Sequence, residues 1–140
     1  RLTAPLCVVG GILIQILKRY GIDIVSHISS IGNIEDRKIN DICFDKNEQD
    51  IIKNADFPVL SKDAGEKMKD YIMAARQDGD SVGGCVECAI YGVPAGVGDP
   101  IFEGIENRIS SVIFGIGGVR VIEFGAGFSS TLMRGSENND

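Results

Sequence analysis

Apolar side chains recur at helical spacing along the first twenty residues. The residues on this face are Leu6, Val9, Leu13, Ile16, Leu17 and Tyr20. Thr3 is a suitable N-cap, Pro5 fits a first helical turn, and Gly21 ends the run. The other faces are also largely apolar, which favours a helix that is mostly buried.

The pattern then changes to a strand, a polar stretch and a second helix. Residues 22–34 are rich in Ile and Val and predict a strand, whereas residues 33–54 are polar and predict an excursion with little core. Ser61 or Asp63 begins the second helix, because apolar residues follow at three- and four-residue spacing until Gly79.

The last third of the chain repeats this alternation. Residues 82–93 predict a second strand, and residues 94–100 (PAGVGDP) predict a rigid glycine-rich turn. A third helix is expected with its apolar face running from Phe102 to Ile116. Gly117 and Gly118 end it before a third strand at residues 119–124.

The order of elements predicts a two-layer α/β sandwich in which helices cover a sheet. The pattern leaves open whether the strands run parallel or antiparallel. With 140 residues, the chain is expected to form a single domain.

Charge and composition exclude some classes of binding partner and favour one cellular compartment. The net charge of −6 argues against nucleic acid and acidic membranes, and no apolar run is long enough to span a bilayer. Four irregularly spaced cysteines without a secretory signal favour reduced thiols in a cytoplasmic protein. Because the chain begins at Arg1 rather than Met, we expect a piece of a longer protein.

The stretch GDSVGG at residues 79–84 resembles the nucleophile loop of a serine protease. That chemistry needs a histidine base beside Ser81, and the single histidine, His27, falls within a predicted strand. We therefore favour a turn in which Gly79 ends a helix, while Asp80 and Ser81 satisfy backbone N–H groups.

The Cys-x-x-Cys at Cys85 and Cys88 is not expected to bind a metal. On a strand, residues three apart point to opposite faces, and no second Cys or His pair completes a tetrahedral site. Core packing is the favoured interpretation of both thiols. His27 is either a general base or a polar strand residue, and the residues alone favour the second.

Several longer segments resemble the chorismate synthase family. They are RLTAPL (1–6), SHISSIGNI (26–34), GDSVGGCVECAIYGVPAGVGDPIFEGIENRIS (79–110), VRVIEFGAGF (119–128) and GSENND (135–140). The matches keep the order and spacing of the family. The resemblance implies one half of a β–α–β sandwich, with helices packed on an antiparallel sheet, in a homotetrameric enzyme. The chain corresponds to the central part of that longer protein.

The resemblance also implies an activity. Members of the family eliminate phosphate from 5-enolpyruvylshikimate 3-phosphate and form chorismate, using reduced FMN, with NADP where a member reduces its own flavin. The catalytic histidines of the family precede the part that this chain resembles, and His27 is not one of them. The resemblance therefore implies that the isolated chain is inactive. A non-catalytic, self-associating α/β module is the alternative.

Three positions carry the expected binding roles. Arg1 matches the arginine that lies beside the substrate phosphate in the family. Gly117 and Gly118 match a pair that contacts FMN, although the family often has Asn-Ala or Pro-Ala there. Backbone contacts survive this change and side-chain contacts do not. No catalytic residue and no metal ligand are expected within the chain.

Overall fold

The structure, a computed structural model, describes residues 3–39 and 46–138. Its elements, in chain order, are α1 (Thr3–Arg19), β1 (Asp23–Ile31), β2 (Ile34–Glu35), α2 (Lys46–Lys53), α3 (Lys62–Gln77), β3 (Gly84–Tyr91) and α4 (Ile105–Ile113), followed by a 3-10 helix (Gly127–Leu132). This part of the chain divides into two compact units. One is Val8–Val93, and the other contains residues 3–7 and 94–138.

An antiparallel sheet is the framework of the Val8–Val93 unit. The strand order is β2-β1-β3, and β1 pairs antiparallel with both neighbours. Opposite partners include Val25 with Ala89 and His27 with Glu87, with a register shift after Ile28. Helices α2 and α3 contact β1. The predicted helix-covered sheet is therefore confirmed, and the structure shows that its strands run antiparallel.

Helix α3 follows its sequence signals closely. Ser61, one of two predicted starting residues, is the N-cap, and its Oγ accepts a hydrogen bond of 3.4 Å from the Ala64 N–H. Asp63 lies in the first turn and Arg76 in the last, where each charge complements the helix dipole. Ala64 and Met68 are buried and join the small core of this unit.

The prediction that residues 33–54 contribute little core is wrong. This stretch contains β2 and α2, and Asp36, Ile39 and Ile52 within it are buried. Helix α2 turns only one of its two isoleucines inward, since Ile51 remains 62% exposed, so its apolar periodicity is too weak to detect.

An ion pair between α2 and β1 accompanies this packing. The Nζ of Lys53 lies 2.6 and 2.8 Å from the two carboxylate oxygens of Asp23. This hydrogen-bonded ammonium lowers the pKa of Asp23 below its ordinary value, against a smaller opposing effect of desolvation.

The prediction that α1 is mostly buried is also wrong. No residue of the helix is buried, and even its central Leu13 and Ile12 are 50% and 54% exposed. The apolar pattern indicates that the helix surface needs to be covered, but the covering residues must come from other elements. None of the elements in the described chain supplies one. None of the helices described is long and apolar enough to cross a membrane.

Two predictions for the last third of the chain need correction. Helix α4 spans Ile105–Ile113, so Phe102 precedes it and is 81% exposed, and the helix ends before Ile116 rather than at the two glycines. Residues 119–124 do not form the predicted third strand. A β-strand requires a neighbouring strand for its backbone hydrogen bonds, and no described segment pairs with this one.

Candidate functional site

The GDSVGG segment is the turn that leads from α3 into β3. Asp78 is the C-cap of α3, and Gly79 follows with a φ of 69°. The Ser81 N–H donates to Asp80 Oδ1 at 2.8 Å, and β3 begins at Gly84. The turn interpretation is therefore confirmed. Ser81 has no histidine base, because the single histidine of the chain is engaged elsewhere.

Cys85 and Cys88 both lie in β3, three residues apart and hence on opposite faces of the sheet. Both are exposed, so the prediction of core packing is wrong. Cys88 shares its face with Val86 and Ile90, which are also exposed. Local desolvation nevertheless raises the pKa of the Cys88 thiol, which disfavours the reactive thiolate. Within residues 3–39 and 46–138, no cluster of three His, Cys, Asp or Glu side chains could hold a metal ion.

Gly117 and Gly118 form an exposed turn after α4. Gly118 has a φ of 98°, a conformation that other residues rarely adopt. A Cβ built on either glycine would meet nothing within 4 Å. The turn is closed by the Val119 N–H, which donates to the Ile116 carbonyl at 3.3 Å. In the described chain neither glycine N–H has a hydrogen-bond partner. Both are therefore available to a ligand oxygen.

Arg1, the expected substrate residue, lies outside the described residues. The neighbouring residues 3–7 belong to the same compact unit as Gly117 and Gly118. Arg120 follows the glycine turn by two positions and has no ion pair among the described side chains, whereas Arg108 is paired with Glu103 at 2.6 Å. Sequence reasoning did not assign Arg120 to the site, although its charge beside two glycines was a usable signal.

His27 lies at the centre of β1 and is 1% exposed. Its Nε2 lies 2.9 Å from Glu87 Oε2, across the β1–β3 pair. Its Nδ1 lies 3.3 Å from Asp36 Oδ2, and both side chains of that pair are fully buried. A general base must reach a substrate, so this environment agrees with the polar strand residue favoured from sequence.

The two carboxylates around His27 also bind backbone N–H groups. Asp36 accepts hydrogen bonds from Leu60 N–H at 2.5 Å and Ser61 N–H at 2.9 Å, at the entry to α3. Glu87 Oε2 accepts one from Ile39 N–H at 3.0 Å. The cluster therefore ties the sheet to two loop segments. Sequence analysis missed both carboxylates as partners of His27.

A cleft of about 360 Å³ lies beside this cluster. Its lining residues are Ile34, Glu35, Asp36, Arg37, Ser61, Asp63, Ala64 and Lys67. The lining holds three carboxylates and two cations, and Lys67 is already paired with Asp63 at 2.6 Å. Asp36 itself occupies the N-terminal end of α3, where an anion would otherwise bind. This cleft is therefore unsuited to a phosphorylated ligand.

Comparison with known proteins assigns the family. A family model described as chorismate synthase matches residues 1–140. Over 150 residues, the chain is 42% identical to the chorismate synthase of Lancefieldella parvula, covering 100% of this chain and 40% of that protein. It is 39% identical over 137 residues to that of Methanosarcina acetivorans, covering 95% of this chain and 36% of that protein.

A solved structure agrees with these relatives. The chain matches a crystal structure of chorismate synthase with a TM-score of 0.80 and 25% identity, over 99% of this chain and 44% of the other. The chain thus spans about 40% of the length of the first of these relatives and 36% of the second. With the whole chain matched in sequence and nearly all of it in fold, this protein belongs to the chorismate synthase family.

Proposed function

We propose that this chain contributes to a chorismate synthase of the cytoplasm. The reaction is the anti-1,4-elimination of phosphate from 5-enolpyruvylshikimate 3-phosphate, which forms chorismate with reduced FMN in the shikimate pathway. The family match over all 140 residues supports this proposal more strongly than any other observation. Because the chain spans less than half of its relatives, it supplies part of the active site.

The substrate and FMN are both polyanions, whereas the chain carries a net charge of −6. Binding therefore depends on a few locally placed arginines and on oriented N–H donors. We assign Arg1 to the substrate phosphate. Arg120, which lacks an ion pair among the described residues, supplies a second cation next to the glycine turn. Such donors assist departure of the phosphate when their contacts strengthen as its charge develops.

The Gly117-Gly118 turn fits one edge of an FMN site. Its two unpaired N–H groups suit a contact with a flavin oxygen or phosphate. Open space around both glycines means that these residues do not enclose a ligand. The described residues alone therefore do not fit a complete flavin site. The residues that enclose the flavin must come from parts of the enzyme outside them.

The isolated chain is expected to form no chorismate when it is supplied with substrate and chemically reduced FMN. The reason is that its only histidine is buried between two carboxylates and cannot transfer protons to a substrate. Anaerobic assays that follow phosphate release and chorismate absorbance test this, with the full-length Lancefieldella parvula enzyme as the positive control. Turnover by the purified chain would contradict it.

The binding roles are tested in a chimera in which this chain replaces the corresponding part of the Lancefieldella parvula enzyme. Arg1→Ala is expected to lower kcat/KM on the order of 10²-fold, as loss of one charged donor does. Arg76→Ala, on the exposed side of α3, is the matched control. An active chimera that is indifferent to Arg1→Ala would remove Arg1 from the site without disproving family function.

We also propose that the chain self-associates through α1, in keeping with a homo-oligomeric enzyme. Large apolar side chains are exposed along the helix, and charge is confined to Lys18 and Arg19 at its end. Two copies can therefore bury these apolar surfaces against each other without placing charged side chains in the contact. The 140-residue chain alone is the simplest system in which to test this.

Sedimentation is expected to show a dimer or larger species. Leu13→Glu should shift it toward monomer, because a charge would enter the apolar face of α1. Gln15→Glu, which introduces the same charge in place of a polar side chain outside the apolar face, is the control. A monomer for the unmodified chain, or an equal effect of both changes, would exclude this interface. The non-catalytic module would be favoured by two results together. The isolated chain would self-associate, and substitutions in it would leave FMN binding by the chimera unchanged.

A further inference from the structure

The buried His27 cluster has no role in the proposed function. We propose that His27 is an imidazolium that bridges Glu87 and Asp36, and that this ionic latch fastens residues 36–39 and 60–61 to the sheet. The inference rests on the geometry of the cluster and is independent of chorismate synthase activity. It assigns a protonation state and a positioning role to the only histidine of the chain.

The first step concerns Nε2. A carboxylate offers only acceptors, so the atom that lies 2.9 Å from Glu87 Oε2 must carry a hydrogen. The register of the sheet places His27 directly opposite Glu87, so the contact follows from strand pairing. Glu87 keeps partial contact with solvent, since its side chain is 27% exposed.

The second step concerns Nδ1, which lies 3.3 Å from Asp36 Oδ2 inside the core. In the described chain this nitrogen has no hydrogen-bond partner. A neutral Nδ1 would place its lone pair 3.3 Å from a buried carboxylate oxygen, without water to screen the repulsion. A protonated Nδ1 converts the same contact into attraction between opposite charges. The arrangement therefore favours a hydrogen on both ring nitrogens.

The third step concerns charge balance, because two carboxylates share one imidazolium. Asp36 also receives the Leu60 and Ser61 N–H groups at the positive end of α3. Glu87 receives the Ile39 N–H and retains solvent contact. Each carboxylate is thus stabilised by more than His27. The hydrogen bonds from Ile39, Leu60 and Ser61 also hold the two loop segments, residues 36–39 and 60–61, against the sheet.

The chain has a single histidine, so a long-range ¹H–¹⁵N spectrum reports on His27 alone. At neutral pH, we expect both ring nitrogens of the unmodified chain to show shifts of the protonated form. A spectrum of one neutral tautomer would overturn the proposal. This measurement requires no variant and therefore does not depend on whether a substitution disturbs folding.

Asp36→Asn tests the latch itself. An amide can donate to an unprotonated Nδ1, so we expect His27 to change to the neutral form that carries hydrogen on Nε2. Exchange of the Leu60 amide should accelerate on the order of tenfold, because the amide nitrogen that donates to Nδ1 replaces Oδ2, the atom that accepts the Leu60 N–H. Asp63→Asn is the control. Asp63 is an exposed residue in the first turn of α3, so this change should alter neither the His27 spectrum nor the amide exchange. A His27 that stays doubly protonated in Asp36→Asn would show that Asp36 does not hold the second proton.

Discussion

Gly92→Ala is expected to destabilise the Val8–Val93 unit by about 3 kcal/mol, the combined size of left-handed strain and of an overpacked contact. Gly92 follows β3 with a φ of 75°. A Cβ there would overlap the carbonyl oxygen of Gly21 and lie 3.1 Å from its carbonyl carbon. Both neighbours are backbone atoms, so the overlap cannot be relieved by a rotamer change. Urea unfolding followed by circular dichroism measures the loss.

Gly79→Ala is the matched control for this change. Gly79 has a similar φ of 69°, but a Cβ there would meet nothing within 4 Å. Its loss should be limited to backbone strain of about 1–2 kcal/mol. The difference between the two variants isolates the contact with Gly21. Equal losses would show that the contact between the added Cβ and Gly21 adds nothing to the loss of stability.

Met68→Ala is expected to lower the free energy of unfolding by about 2–5 kcal/mol, as truncation of a fully buried side chain does. Met68 is 0% exposed and is among the largest side chains of a small core that also includes Val25 and His27. Few neighbours are available to fill the space, so a cavity should remain. The denaturant midpoint should fall, while the slope of the unfolding transition stays constant.

Met73→Ala provides the comparison, because Met73 lies on the same helix and is 49% exposed. It loses the same atoms and gains the same helix propensity, yet should change stability by only about 0.5 kcal/mol. A comparable loss in both variants would mean that the packing of α3 against the sheet differs from that described.

Local patterns were sufficient where an element is specified by its own residues. Apolar spacing and the Ser61 cap identified α3, richness in Ile and Val identified β1, and alternation identified β3. Long ordered motifs identified the family. Helix α2 escaped detection because its contribution to the core is essentially one side chain, Ile52. A signal of that size is lost among the charged residues around it.

Other properties depend on segments that are distant in the chain. Residues 119–124 have a strand-like composition but find no partner within the described chain, and α1 has an apolar surface but no cover. Composition shows that such segments need partners, whereas pairing and covering are properties of the assembled chain.

The His27 cluster shows the same division at the level of single side chains. Sequence identified a lone histidine in a strand and favoured a polar structural residue. The β1–β3 register then brings it opposite Glu87, which is 60 residues away, and the path after β2 brings Asp36 to its other nitrogen. Local propensity specifies elements such as α3, β1 and β3. Long-range pairing determines which charges meet in its core, because electrostatic partners are chosen by distance in space.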